Sequence, residues 1–224
     1  MPALESRDLH LRLGASDALR GASVRVEEGE IVALRGPSGS GKSTLLHCLA
    51  GILRPDSGSV TYDGRRIHEI SERERSALRR DAFGFVFQSG MLVPDLPLRE
   101  NVMLPLLLTG ARRREAGHQA DAWLERLGLL ACADRLPAAV GGGQAQRAAL
   151  ARALIHRPRV VFADEPTGAL DSAASPLVVE LLTSLVREDA AALVLVTHDA
   201  AVAAHADREV ELLDGETLQA NIAA

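Results

Sequence analysis

Cysteine is scarce. Cys48 and Cys132 are the only two in 224 residues, and they stand far apart without paired spacing. That gives no basis for a disulfide framework or a zinc site, and reads most simply as two small buried residues in a reducing compartment. Aromatics are only 3% of the chain, which argues against base-stacking platforms for single strands. An excess of positive charge is also missing. The net charge is −5, so nothing in the balance points to a nucleic-acid partner. No apolar run approaches the roughly 20 residues that span a bilayer. The most apolar stretch, 102-VMLPLLLTGA-111, is short and contains Pro105. The opening MPALESRDLH carries Glu5 and Asp8 and lacks the apolar core of a signal peptide. The expectation is a soluble, cytoplasmic chain that could still dock on a membrane protein.

What is present suits one sizeable globular domain, with 47% apolar and 25% charged residues. Alternation at Leu9, Leu11 and Leu13, at Val24 and Val26, and in 31-IVAL-34 predicts three short strands with turns at Gly14 and at Glu28-Gly29. A short helix is expected over 45–53. A strand is expected within 54–64. A second helix over 71–80 opens on a capping-box pattern, Ser71 with Glu74. After the buried strand 83-FGFVF-87 come helices near 99–108 and 113–130. These predict a helical lobe over 91–156, inserted between two core segments, 1–90 and 157–224. A helix over 144–156, the strand 159-RVVFA-163, a long helix to about Glu188, the strand 192-ALVLV-196 and a final hairpin complete the pattern. Strands alternating with helices, the later strands apolar throughout, predict an α/β fold with a mainly parallel sheet covered on both faces.

The densest chemistry lies in 36-GPSGSGKST-44. Gly36, Gly41, Lys42 and Ser43 fit G-x-x-x-x-G-K-[ST], between a predicted strand and a predicted helix. Glycines let backbone N–H groups curl round phosphate oxygens, and the helix N-terminus adds partial positive charge. The whole loop (Gly36, Pro37, Ser38, Gly39, Ser40, Gly41, Lys42, Ser43 and Thr44) is a candidate nucleotide cradle. Lys42 would reach the β- and γ-phosphates and Ser43 would ligate Mg²⁺. A surface Gly/Ser turn is the competing reading, and the strand–loop–helix context disfavours it. Such a loop needs an acidic partner at a nearby strand end, and 160-VVFADEP-166 supplies one. Asp164 is placed to hold Mg²⁺ through its water shell, and Glu165 to polarise an attacking water.

Smaller signals surround these two. Gln88 closes the strand 85-FVFQ-88, 141-GGGQAQR-147 opens a helix just before the acidic strand, and 168-GALD-171 and 196-VTHD-199 follow it. In this order they strongly resemble the nucleotide-binding subunit of an ABC transporter, and the resemblance covers nearly the whole chain. The segments 86-VFQSGMLVPDLPLRENVMLPLLL-108 and 164-DEPTGALDS-172 look like the branch with lipoprotein-release and macrolide-export ATPases. The resemblance implies a P-loop core with an N-terminal antiparallel β subdomain, binding ATP and Mg²⁺. It implies that Gln88 senses γ-phosphate and Mg²⁺, and that His198 contacts the γ-phosphate and steadies Glu165. Asp171 would lie at a dimer seam; an N-cap for the following helix is a compatible reading. Gly141, Gly142, Gly143 and Gln144 would face ATP held by a second cassette, in a homodimer or a heterodimer. A membrane permease would dock near Gln88 and the apolar Met91, Leu92, Val93 and Leu96.

The chain departs from that pattern twice. The family usually places an aromatic ring before the P-loop to stack on adenine, and the best-placed residue here is Leu13. The family signature reads Leu-Ser-Gly-Gly-Gln, and Gly141 stands where its serine would be. Both departures predict weaker nucleotide handling, and they keep a slow, regulatory ATP-gated clamp open beside a transport ATPase. Cassettes of translation and DNA repair usually carry two such units or a long coiled-coil insertion, and neither is visible.

Overall fold

The computed structural model describes residues 2–88, 90–172 and 174–218. Met1 and Ser89 of the first expected core segment, with Ala173 and the last six residues of the second, lie outside them. Strands β1 (Pro2–Leu13) and β2 (Ser16–Glu27) pair antiparallel and are 12 residues each, longer than alternation predicted. The reason is a change of parity. In β1, Leu4 and Ser6 face inward, then Leu9 and Leu11. The switch falls at Asp8, which has φ 50° and sits in a register shift between Ser6 and Leu9. In β2 the inward set passes from Leu19 to Ala22, Val24 and Val26 across Gly21, at φ 100°. Each irregularity adds a residue, so a strict period of two breaks while the strand continues.

Strand β3 (Ile31–Arg35) leads into helix α1 (Lys42–Leu49). Strands β4 (Ser57–Tyr62) and β5 (Arg65–Arg66) complete a four-stranded antiparallel sheet, ordered β2-β1-β4-β5. Helix α2 (Glu72–Ala82) opens on the expected capping box. Glu74 N–H donates to Ser71 Oγ at 3.3 Å, and Ser71 N–H donates to Glu74 Oε2 at 3.0 Å. Strand β6 (Phe83–Phe87) precedes α3 (Leu98–Leu108) and α4 (Arg113–Arg126). Helix α4 stops short of the expected residue 130 because Gly128 takes φ 68°. Leu129 N–H then reaches Leu124 O at 2.7 Å and Gly128 N–H reaches Glu125 O at 3.0 Å, a Schellman closure.

The chain continues through α5 (Gly142–Leu154), β7 (Val160–Asp164), α6 (Ala174–Glu188), β8 (Ala192–Val196), α7 (Ala200–Ala203), β9 (Arg208–Leu213) and β10 (Glu216–Leu218). The second sheet runs β10-β9-β3-β8-β7-β6, parallel from β9 to β6, with β10 antiparallel at the edge. Its core strands are continuous apolar runs because both faces are covered. One core lies under α3 to α6, and the other lies between the two sheets. Phe83, Phe162 and Tyr62 form linked rings in the second, with Phe85 packed against them and half-buried Phe87 stacked on Phe85. The result is the expected α/β architecture, with an antiparallel sheet, a mainly parallel sheet and a helical lobe.

Both cysteines are buried and free. Burial pushes the Cys48 thiol up to about 12, leaving almost no thiolate near neutrality. Alkylation at pH 8 should therefore spare both thiols in the folded chain and modify both after denaturation. Rapid labelling of the native chain at either position contradicts this burial.

Candidate nucleotide-binding and hydrolysis site

The loop after β3 is shaped by its glycines. Gly36, Gly39 and Gly41 have φ of 147°, 82° and 101°, where a side chain is strained. A Cβ on Gly36 would stand 2.0 Å from Leu212 O, and one on Gly41 would stand 2.4 Å from Ala18 O. The protein's own backbone thus fixes both positions. Helix α1 begins at Lys42, with Gly41 as its N-cap, three residues ahead of the sequence-based start. The left-handed glycine turns the chain directly into the helix, so the loop's last residues are its first turn. Lys42 is buried, and its Nζ donates to Gly36 O at 2.8 Å and Pro37 O at 2.7 Å. Ser40 Oγ is buried without a hydrogen-bond partner.

Asp164 is the last residue of β7, and Ser43 Oγ donates to its Oδ1 at 3.0 Å. Glu165 follows at φ 46°, its N–H donating to Val196 O at 3.0 Å. A non-glycine residue held there costs about 1–3 kcal/mol, tolerated where the surroundings fix it. His198 Nδ1 lies 2.8 Å from Glu165 Oε1. The histidine side chain is 70% exposed and the glutamate 20%. A cleft of about 540 Å³ joins Ser38, Gly39, Gly41, Lys42, Ser43 and Thr44 to Glu165 and His198. Ser16 and Ala18 of β2 form its other wall.

Several expected residues stand outside this cleft. Leu13 is 46% exposed at the end of β1 and does not line it; its register partner Ser16 does. Gln88 is exposed and lies over Gly168, its Nε2 2.7 Å from where a Cβ would be. It touches neither Ser43 nor Asp164 through a hydrogen bond. Asp171 caps α6: Ala174 N–H donates to its Oδ1 at 2.8 Å and Ser175 N–H to its carbonyl at 3.1 Å. Gly141, Gly142, Gly143 and Gln144 do not line the cleft either. Gly141 is the N-cap of α5, and its N–H donates to Gln144 Oε1 at 3.1 Å. With no side chain at Gly141, only half of a capping box forms.

Two buried polar residues escaped the sequence reading. Asn101 is fully buried; it accepts from Val93 N–H at 2.7 Å and donates to the carbonyls of Val93, Leu96 and Pro97. It holds the loop that leads into α3. Gln146 is buried on α5. Its spacing of four from Leu150 and eight from Leu154 puts it on the apolar face, and that was the available signal.

The donor set fits a phosphate-bound cation. Ser43 and Asp164 offer oxygens at one point. Among the described residues no group of three His, Cys, Asp or Glu could cage a metal alone. Mg²⁺ characteristically takes one or two protein oxygens and completes its shell with phosphate and water.

The ABC transporter family model matches residues 19–168. The chain belongs to the ABC transporter ATP-binding family. This cassette is 49% identical over 198 residues to the uncharacterized ABC transporter ATP-binding protein YbbA of Escherichia coli (strain K12), covering 88% of the chain and 87% of that protein. It is 46% identical to the lipoprotein-releasing system ATP-binding protein LolD 2 of Caulobacter vibrioides (strain ATCC 19089 / CIP 103742 / CB 15), covering 90% and 89%. Its fold superposes with a TM-score of 0.88 on the dimeric ATP-binding cassette MJ0796 in a post-hydrolysis state bound to ADP and Pi, at 36% identity over 96% and 97% of the chains. Among the described residues no helix of this cassette is long and apolar enough to cross a membrane.

Proposed function

We propose that this cassette hydrolyses ATP to power an integral membrane permease, through ATP-driven closure of a cassette dimer at the cytoplasmic face of the membrane. The observation that carries the reading is the Glu165–His198 contact of 2.8 Å at the wall of the P-loop cleft. A carboxylate there can accept a proton from an attacking water, and a histidine bonded to it fixes its orientation. Lys42 can exchange its two loop carbonyls for β- and γ-phosphate oxygens. Ser43 and Asp164 would hold Mg²⁺, which supplies charge neutralisation to the phosphates. Gln88, beside Gly168, is set to report on that site to the helical lobe and the permease.

The helix mouth at Gly141, Gly142 and Gly143 supports a site made between two chains. Cβ atoms on these three would meet nothing nearer than 3.9, 3.7 and 3.5 Å within the chain. Their lack of side chains is therefore not required by this chain's own packing, unlike Gly36 and Gly41. Close approach by another molecule, the phosphates of an opposing chain's ATP, gives the reason. Membership of the ABC transporter family supports a permease partner, and the dimeric MJ0796 cassette supports the dimer. The test is reconstitution with the permease. MgATP should drive dimerisation and sustained phosphate release, and MgADP neither. Binding without turnover, with or without the permease, favours the regulatory clamp suggested by Gly141.

The base contact is expected to be weak. Among the chain's aromatic residues, Tyr62, Phe83, Phe85 and Phe162 sit in or against the core, Phe87 stacks on Phe85, and Trp123 packs with Arg126 on α4. None lines the cleft. A stacked ring contributes about 1–3 kcal/mol to holding a base. A base so weakly held is weakly discriminated, so GTP should compete with a fluorescent ATP analogue to within about tenfold of ATP itself. Discrimination above about a hundredfold would show another base-reading contact.

A further inference from the structure

Helix α5 grips the rest of the cassette through a group that the hydrolysis chemistry does not use. Gln146 is 2% exposed. Its Nε2 donates to Phe87 O at 3.0 Å and to Pro166 O at 2.7 Å. Phe87 directly precedes Gln88, and Pro166 directly follows Glu165. One buried amide nitrogen therefore ties together the main chain beside both residues. The packing is made for it. At Gly90 a Cβ would come within 3.2 Å of Gln146 Oε1, while Gly168 makes room for Gln88. Arg152, one and a half turns further along α5, donates to Gly90 O at 2.7 Å and Met91 O at 2.8 Å. That second grip fastens the Gln88 loop but not the Glu165 turn.

The chemistry selects a primary amide. Two carbonyl oxygens only accept, so the bridging atom must donate twice without charge, and –NH₂ does so. A hydroxyl donates once, a carboxylate not at all, and an ammonium would be buried without a counter-ion. Without that nitrogen Pro166 O loses its buried donor, which is costly, and Phe87 O keeps only Gly90 N–H, so both segments loosen together.

We propose that Gln146 is a positioning residue for hydrolysis. It sets the Gln88 and Glu165 segments against one another and links both to the glycine-rich mouth of α5. Four residues separate it from Gly142, so a shift of the mouth reaches both segments through one rigid turn. The proposal rests on Glu165 acting as the base.

The test compares Q146E in the full chain with wild type. The replacement is nearly isosteric and removes the donors. Hydrogen exchange reads the node through Gly90 N–H, which donates to Phe87 O, and Gly168 N–H, which donates to Glu165 O. Both should exchange roughly tenfold faster in Q146E, while P-loop amides are unchanged. The kcat should fall about tenfold with ATP affinity within about twofold of wild type. Leu150→Val destabilises the same helix without touching the node, and should alter neither reporter selectively nor kcat. If Q146E does not fold, Q146N keeps the nitrogen donors on a shorter stem and should loosen one segment only. Unchanged exchange at both reporters overturns the proposal, as does an equal loss of ATP affinity and kcat, or the same pattern from Leu150→Val. Absence of hydrolysis by wild type would fault the reading of Glu165, while the exchange arm still decides the brace.

Discussion

Glu165→Gln should lower ATP turnover by at least about a hundredfold while ATP binding stays within a few-fold of wild type. The amide keeps the shape and can still bond His198, whose Nδ1 is 2.8 Å from Glu165 Oε1. It cannot take a proton from water. Nor does it alter the P-loop, since Lys42 is held by the loop's own carbonyls and Gly36 and Gly41 lie against β9 and β2. The variant should also accumulate as an MgATP-bound dimer, because closure is retained and the step that reopens it is blocked. Phosphate release and sedimentation on the same preparation check both halves. Residual turnover above about a tenth of wild type would remove Glu165 from the role of base.

Gly141→Ser should raise turnover, and the reason can be separated from any gain in stability. The N-cap has φ −69° and ψ 156°, where serine is favoured. An added Cβ would meet only Gln144 Oε1, at 3.9 Å. Serine would complete the capping box that Gln144 already half forms. Against glycine, that cap is worth only a few tenths of a kcal/mol. A hydroxyl bonded to the charged γ-phosphate of an opposing chain is worth about 1.5–3 kcal/mol. ATP affinity or turnover at that site should therefore improve about 10- to 150-fold, with thermal unfolding almost unmoved. In a homodimer both sites gain. Beside a partner with an intact signature, the gain falls on the site holding the partner's ATP. An unchanged rate and affinity would remove the importance given to position 141.

Much of this site was legible in the sequence because its parts are local. The P-loop spacing, the acidic pair at a strand end and the histidine after the next apolar strand each announce themselves over a few residues. The parallel sheet then brings Lys42, Glu165 and His198 to one cleft. Less legible were features that depend on a partner far along the chain. The full length of β1 was hidden because Asp8 breaks the alternation, and only its pairing with β2 restores it. Gln146 lies inside the helix-opening stretch 141-GGGQAQR-147. Its role appears only once β6 and the turn after β7 place two carbonyls against it. Leu13 is the best-placed residue by linear position, but the wall of the cleft is built by the returning strand, through Ser16 and Ala18.

The two sets of glycines differ in what would preserve them over time. Gly36 and Gly41 are enforced by carbonyl oxygens 2.0 and 2.4 Å from any added Cβ, so a change there damages folding and is removed at once. No such enforcement acts at Gly141, Gly142 or Gly143, where the surrounding space accepts a side chain. A cassette can therefore drift at its signature for at most a few tenths of a kcal/mol of stability, and selection on folding would scarcely see it. Only selection on the assembled pair would. A serine lost at position 141 is thus a change that a lineage could keep, provided the opposite chain carries the working half.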